Sequence, residues 1–168
     1  EAELERQEIA IGKSYILSTF STVQRAKIDE YLELLSNDFL FYKKYFDIRR
    51  SFKSSHHINK QGSFSSPNYT FWKNKTNNIL IMSEFSKERI NANLNVKVYD
   101  IKEKKVIFEK SFLFDFKSQR RVGHKVADEI FAALLDKKSI FQSKIVFVSD
   151  KVGTRKKPVK ELYIMDFD

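Results

Sequence analysis

The 168-residue sequence contains no cysteine, which removes disulfides, thiolate metal sites and cysteine nucleophiles together. Its four glycines, Gly12, Gly62, Gly123 and Gly153, stand far apart. Isolated glycines build no phosphate-cradling loop, and no serine sits in a Gly-x-Ser-x-Gly elbow. No run approaches the ~20 apolar residues that a transmembrane helix needs. The chain opens on Glu1 with no signal peptide ahead of it, so it reads as processed or trimmed, and export stays open. Proline (2) and tryptophan (1) are scarce beside sixteen phenylalanines. The recurrence of Phe with Lys, Asn, Ser and Ile reads as compositional bias rather than as a site.

Against these absences stand 42% apolar and 14% aromatic residues. That content argues for a packed core despite the high charge, and the length suits one domain or one domain plus a fragment. The net charge of +9 is unevenly spread. Between Glu1 and Lys13, Glu1, Glu3, Glu5 and Glu8 oppose Arg6 and Lys13. Between Lys43 and Lys60 the balance reverses, with Lys43, Lys44, Arg49, Arg50, Lys53 and Lys60 against Asp47. Such a distribution favours an acidic partner (nucleic acid, anionic lipid or an acidic protein face) or else a solvated basic surface.

Along the chain, Ser14–Phe20 is the first β-leaning run. Ser21 and Gln24 form a capping-box pattern, after which Ile28, Leu32, Leu35 and Phe39 share one helical stripe that ends near Asn37. Phe39–Arg50 reads as extended, with a short strand at Tyr45–Ile48. The stretch 51–66 reads as a mobile basic loop. Ser66-Pro67 reads as an N-cap with proline at the first helical position, opening a short helix that buries Tyr69, Phe71 and Trp72. Ile79–Met82 suits a strand buried on both faces. In 91–100, Ala92, Leu94, Val96 and Val98 alternate onto one face, and in 106–116 Val106, Phe108, Phe112, Phe114 and Phe116 do the same, making a hairpin. A second major helix from Ser118 to about Leu135 carries Val122, Val126, Ile130 and Leu134 on one stripe.

Candidate chemistry is thin. Asp128 and Glu129 are adjacent on a helix and point apart, whereas convergence needs i, i+3 or i, i+4 spacing. His56-His57 has no Asp, Glu or Cys nearby to complete a metal set and reads as a surface pair. His124, two positions after Val122, is expected off the apolar stripe in a packing or interface role. Arg120, Arg121, Lys117 and Lys125 place positive charge near a helix start, against the macrodipole, at a cost of roughly 0.3–1 kcal/mol per charge. Their counterpart is either an acidic group or screening solvent. A basic loop interleaved with aromatics also matches nucleic-acid surfaces in composition, but no nucleic-acid motif accompanies it.

Several segments carry a family resemblance. Phe46-Asp47-Ile48-Arg49-Arg50, Pro67 to Trp72, Asn78-Ile79-Leu80-Ile81-Met82-Ser83-Glu84-Phe85, Val96-Lys97-Val98-Tyr99-Asp100 with Val106-Ile107-Phe108, and the helix from Arg120 to Phe131 follow one another in order. Lys144-Ile145-Val146-Phe147-Val148-Ser149 and Glu161-Leu162-Tyr163-Ile164-Met165-Asp166 then look like the opening of a propeller blade. This order resembles the amino-terminal domain of the TolB family of the Tol–Pal system, with the start of the first blade. The resemblance implies a periplasmic, non-catalytic protein-binding domain that contacts TolA-like or Pal-like envelope proteins and supports outer-membrane integrity and division. It implies no cofactor, no metal, no small-molecule substrate, and at most a peripheral membrane association.

The expected fold is therefore an α/β (α+β type) arrangement. It has a mixed β-sheet with two main helices and one short helix on one side, over residues 1–140. A β-hairpin of an incomplete blade follows over 141–168 and, with its exposed edges, is a partner-contacting or β-augmenting candidate. Candidate partner-binding residues are Glu5, Glu8, Ile9 and Ile11 at the amino end, Arg120, Arg121, His124 and Lys125 on the second major helix, and Arg155, Lys156 and Lys157 in the hairpin. Two alternatives stand beside this reading: a TolB-like domain reused as a structural subunit of a larger envelope assembly, and a basic nucleic-acid-binding domain.

Overall fold

The computed structural model describes residues 5–53, 59–76, 78–149, 154, 157 and 159–166. Its elements are β1 (Gln7–Ile11), β2 (Tyr15–Ile16), α1 (Thr22–Phe41), β3 (Phe46–Arg49), a single 3₁₀ turn (Ser51–Lys53), α2 (Tyr69–Lys73), β4 (Ile79–Glu88), β5 (Asn91–Asp100), β6 (Lys105–Phe114), α3 (Gln119–Leu135), β7 (Lys144–Ser149) and β8 (Glu161–Asp166). The main sheet runs β3-β1-β4-β5-β6, with β2 also paired to β4. β1 lies parallel to both β3 and β4, whereas β4, β5 and β6 form an antiparallel meander. β7 and β8 form a separate antiparallel hairpin. This is the mixed α/β architecture expected from the sequence.

The first strand is β1, which the sequence reading passed over in favour of Ser14–Phe20. Of that later run only Tyr15 and Ile16 pair as strand. Period-2 alternation then sorts the core into two layers. Ile9 and Ile11 of β1 join Ile79, Ile81 and Phe85 of β4 and the even-numbered apolar residues of β5 beneath α1 and α3. Ala10, Leu80 and Met82 face the other way and pack with Trp72, Tyr99 and Ile101. The short helix α2 therefore lies on the opposite face from the two long ones, not on the shared side expected, because its anchor Trp72 packs against Ala10, Leu80 and Met82.

Local signals explain most boundaries. The capping box forms as spelled: Gln24 N–H donates to Ser21 Oγ at 3.1 Å and Ser21 N–H to Gln24 Oε1 at 2.9 Å. α1 continues four residues beyond Asn37, because Phe39 is fully buried and packs edge-to-face on Phe46 and Phe141 at 5.3 and 6.0 Å. Holding Phe39 on the helical stripe keeps the helix going. The proline N-cap is corrected too. Asn68 is the cap, its side chain accepting from Phe71 N–H at 3.2 Å, while Pro67 belongs to a turn bridged to Gly62.

The alternation expected in β6 breaks once. Val98 pairs with Phe108 but Tyr99 pairs with Val106, so Ile107 is an inserted bulge residue and the parity changes there. Phe112 and Phe114 are buried as expected, while Val106 is 42% exposed. Aromatic rings fill the larger core in edge-to-face contacts, Tyr31 with Phe85 at 5.6 Å and Phe114 at 5.7 Å among them. Each such pair adds ~0.5–1.5 kcal/mol beyond burial.

One buried amide fixes the loop that carries α2. Gln61 is fully buried; its Nε2 donates to the Lys13 carbonyl at 3.0 Å and its Oε1 accepts from Lys13 N–H at 3.1 Å. Its own carbonyl accepts from Trp72 Nε1 at 2.9 Å. The next residue, Gly62, has φ +87°, and an added Cβ would lie 2.3 Å from the Asn68 backbone nitrogen. Gly62→Ala should destabilise the chain by about 1–3 kcal/mol, read as a lower urea midpoint. A midpoint equal to that of the parent would show that the turn is not constrained as described.

Two phenols close this second core, Tyr15 donating to the Gly62 carbonyl and Tyr99 to the Phe64 carbonyl, both at 2.5 Å. Burial is the main force that raises Tyr15 from 10.0 to about 12, the Gln61 hydrogen bond acting against it. Burial likewise lifts Tyr99 to about 12, helped by neighbouring Tyr69, Glu109 and Tyr15. A raised folded value stabilises the neutral form, so this contribution is complete below pH 10.0 and is lost as pH rises through about 12. Phenolate absorbance of Tyr15→Phe and Tyr99→Phe variants should each lose one late-ionising tyrosine. Ionisation of both groups at the ordinary value would contradict this packing.

Candidate interaction surface

The carboxy-terminal hairpin carries apolar side chains on both faces. Its register pairs Ile145 with Met165 and Phe147 with Tyr163, then Val146 with Ile164 and Val148 with Leu162. Because neighbouring residues point to opposite faces, the first two pairs form one apolar face and the last two the other. Phe147 and Tyr163 stack at 5.4 Å with an interplanar angle of 14°. All eight side chains stay between 39% and 68% exposed. A solvated hairpin keeps one face polar and is marginal alone, so a hairpin apolar on both sides is built to be covered on both. Among the described residues no further strand pairs with β7 or β8.

The amino-end candidates divide by strand parity. Ile9 and Ile11 are fully buried on the helix face of β1 and are core residues, not surface ones. This corrects their assignment to partner binding: they sit in an inner strand flanked by β3 and β4. Glu5 is exposed. Glu8 is partly exposed on the face opposite Ile9, its Oε1 3.9 Å from Arg49 Nη2, and its backbone N–H donates to Asn78 Oδ1 at 2.9 Å.

On α3, Arg120, Arg121 and Lys125 are exposed. The helix start has no side-chain cap, because Ser118 Oγ donates to Asp115 Oδ2 at 3.2 Å instead. His124 is only 7% exposed, in keeping with the packing role expected of it. Its Nδ1 is 2.8 Å from Asp38 Oδ2 of α1, itself 3% exposed. Beside it, Gly123 lies close against Leu34 of α1, whose Cδ2 would be 2.3 Å from an added Cβ. His124 is an internal tie, not a docking residue. Asp128 and Glu129 are also engaged, Asp128 Oδ2 accepting from Gln142 Nε2 at 2.5 Å and Glu129 Oε2 pairing with Lys110 Nζ at 2.7 Å.

In the hairpin turn, Lys157 is exposed and exchanges backbone hydrogen bonds with Thr154, each 3.0 Å. Arg155 and Lys156 lie outside the described residues, as do His56 and His57. Among the described residues no group of three or more His, Cys, Asp or Glu side chains could hold a metal ion. Nor, among the described residues, is any helix long and apolar enough to cross a membrane. A cavity of about 1280 Å³ borders α1; of its carboxylates, Glu30 is held by Gln119 Nε2 at 2.9 Å, Glu33 by Lys53 Nζ at 3.0 Å and Asp38 by His124.

Replacing His124 with alanine removes the imidazole from beside a buried carboxylate, and should cost about 3 kcal/mol or more. Urea denaturation checks this; a loss under about 1 kcal/mol, the scale of an exposed pair, would contradict a buried tie.

No protein-family model matches the chain. The "Tol-Pal system protein TolB" of Orientia tsutsugamushi (strain Boryong) is 33% identical over 110 residues, covering 65% of this chain and 24% of that protein. TolB of Cereibacter sphaeroides (strain ATCC 17029) is 30% identical over 121 residues, covering 71% of this chain and 27% of that protein. The chain thus spans about a quarter of the length of these curated relatives. The crystal structure of TolB from Acinetobacter baumannii superposes with a TM-score of 0.69 at 16% identity, over 99% of this chain and 38% of that one. In sequence over about 65% of its length, and in fold over nearly all of it, the chain is similar to TolB, as the resemblance to a TolB amino-terminal domain requires.

Proposed function

We propose that this chain is a non-catalytic protein-binding domain of a periplasmic cell-envelope complex, acting as the corresponding part of TolB does in the Tol–Pal system. Its partners are then TolA-like or Pal-like envelope proteins, and its role is support of outer-membrane integrity and cell division. The observation that carries the reading is the β7–β8 hairpin, whose two exposed apolar faces call for neighbours on each side. The likeness to TolB proteins supports the choice of setting. Among the described residues the candidate contact surface is reduced to Glu5, Glu8, Arg120, Arg121, Lys125 and Lys157. Ile9, Ile11 and His124 serve the fold that presents it.

A photo-crosslinking residue placed at Val148 or Leu162, in cells that export the chain, should trap a defined envelope protein. The adduct should disappear when a second substitution, Val146→Lys or Ile164→Lys, makes that face polar. Recovery of RNA or DNA alone, lost on raising salt, would replace the reading with the nucleic-acid one.

A further inference from the structure

A second surface, remote in sequence from the hairpin, has its own chemistry. The register Glu8↔Asp47 and Ala10↔Arg49 places Asp47 and Arg49 on the α2 side of the sheet. There, β3 and the carboxyl end of α2 enclose a groove of about 920 Å³. Five cations line it, Arg49, Arg50, Lys53, Lys73 and Lys75, with Glu8 as the carboxylate in the lining and Asp47 Oδ2 3.1 Å from Arg49 Nη2 on the same face. Arg50 is held rigidly, its Nε donating to Ser36 Oγ at 2.7 Å and its Nη2 to Asn37 Oδ1 at 2.8 Å. Lys53 leans on Glu33. Lys75 Nζ rests 5.8 Å from the Phe71 ring centroid, and neither Lys73 nor Lys75 has an ion pair among the described residues.

The groove is bounded by a sheet edge. β3 pairs with β1 on one side and with no strand on the other among the described residues. Gln7 N–H donates to the Tyr45 carbonyl at 2.8 Å, which sets the phase of the parallel ladder. Asp47 and Arg49 turn their backbone groups toward β1, so the N–H and C=O of Ile48 face outward.

We propose that this groove docks an extended acidic segment of a partner protein, which pairs with β3 as an added strand and places its carboxylates against Arg49, Lys73 and Lys75. A bare cationic patch would serve any polyanion. An edge that offers a donor and an acceptor in strand register suits an extended polypeptide backbone, whereas phosphates accept but do not donate. The groove also lacks the exposed aromatic platform that single-stranded nucleic acid uses, and no exposed large apolar side chain lines it to enter a membrane. The inference rests on the protein-binding reading above and names one surface and partner chemistry for it.

The test uses the full chain and a short labelled peptide alternating glutamate and valine, followed by fluorescence anisotropy. The peptide should bind, and Lys73→Glu combined with Lys75→Glu should weaken it by about tenfold, as should replacing its glutamates with glutamine. The Ile48 amide should gain protection from hydrogen exchange when the peptide is present. Equal binding by the charge-reversed variant, or an Ile48 amide that exchanges unchanged, overturns the proposal. So does tighter capture of oligothymidylate or phosphatidylglycerol vesicles through the same lysines. If the peptide fails while crosslinking at Val148 and Leu162 persists, the groove is wrong and the protein-binding reading stands. Loss of both removes both.

Discussion

Strand β1 is the constraint on which the rest of the domain depends. It is five residues long, yet it supplies both inner edges of the parallel part of the sheet, and Ile9, Ala10 and Ile11 are fully buried. Each neighbouring pair of residues serves a different core: isoleucines under α1 and α3, alanine under α2. A small side chain at Ala10 leaves room for Trp72, whose indole in turn holds the Gln61 loop. The two layers are therefore not independent, since a shift of β1 by one residue would exchange their contents and bury Glu8 among aromatics.

The pairing of α1 with α3 joins apolar and polar contacts. Leu34 packs closely over Gly123, and the buried Asp38 and His124 meet nearby. Tyr31, one turn before Leu34, ties α1 to the sheet, sharing a hydrogen bond with Ser83 Oγ of β4 at 3.0 Å. Burial of that phenol raises its ionisation well above the ordinary tyrosine range. These buried polar groups are matched to one another, which avoids the cost of burying them unpaired.

Much of the architecture was legible because it rests on periodicity. Ala92, Leu94, Val96 and Val98 alternate and are buried as written, and Ile28, Leu32, Leu35 and Phe39 form the stripe they spell. The failures have local causes. β1 reads Glu-Ile-Ala-Ile, too short to show a period, and its acidic prefix suggested a surface tail. The end of α1 was placed early because Phe39-Leu40-Phe41 reads as β-leaning, while its true partners, Phe46 and Phe141, are distant in sequence. His124 was taken for a docking residue for a related reason: α3 is enclosed by both the sheet and α1, so its buried arc is wider than a single apolar stripe. The phenylalanines taken for compositional bias largely form the core. As for the docking surface, the two strand sequences of the hairpin were visible in advance. The β3 groove was not, because Arg49 and Lys73 meet only through topology; the one hint was the excess of lysine and arginine between Lys43 and Lys60.

The inserted residue Ile107 gives the opposite border of the sheet a different character. A ladder with an extra residue in one rail is locally twisted and out of step, so β6 cannot be copied by a straight neighbour over its whole length. Protection of this kind matters most while the chain is newly made and crowded among its own copies, when regular borders zip together into aggregates. The sheet is therefore directional: further growth is discouraged on the meander side and left permissible at the other rim.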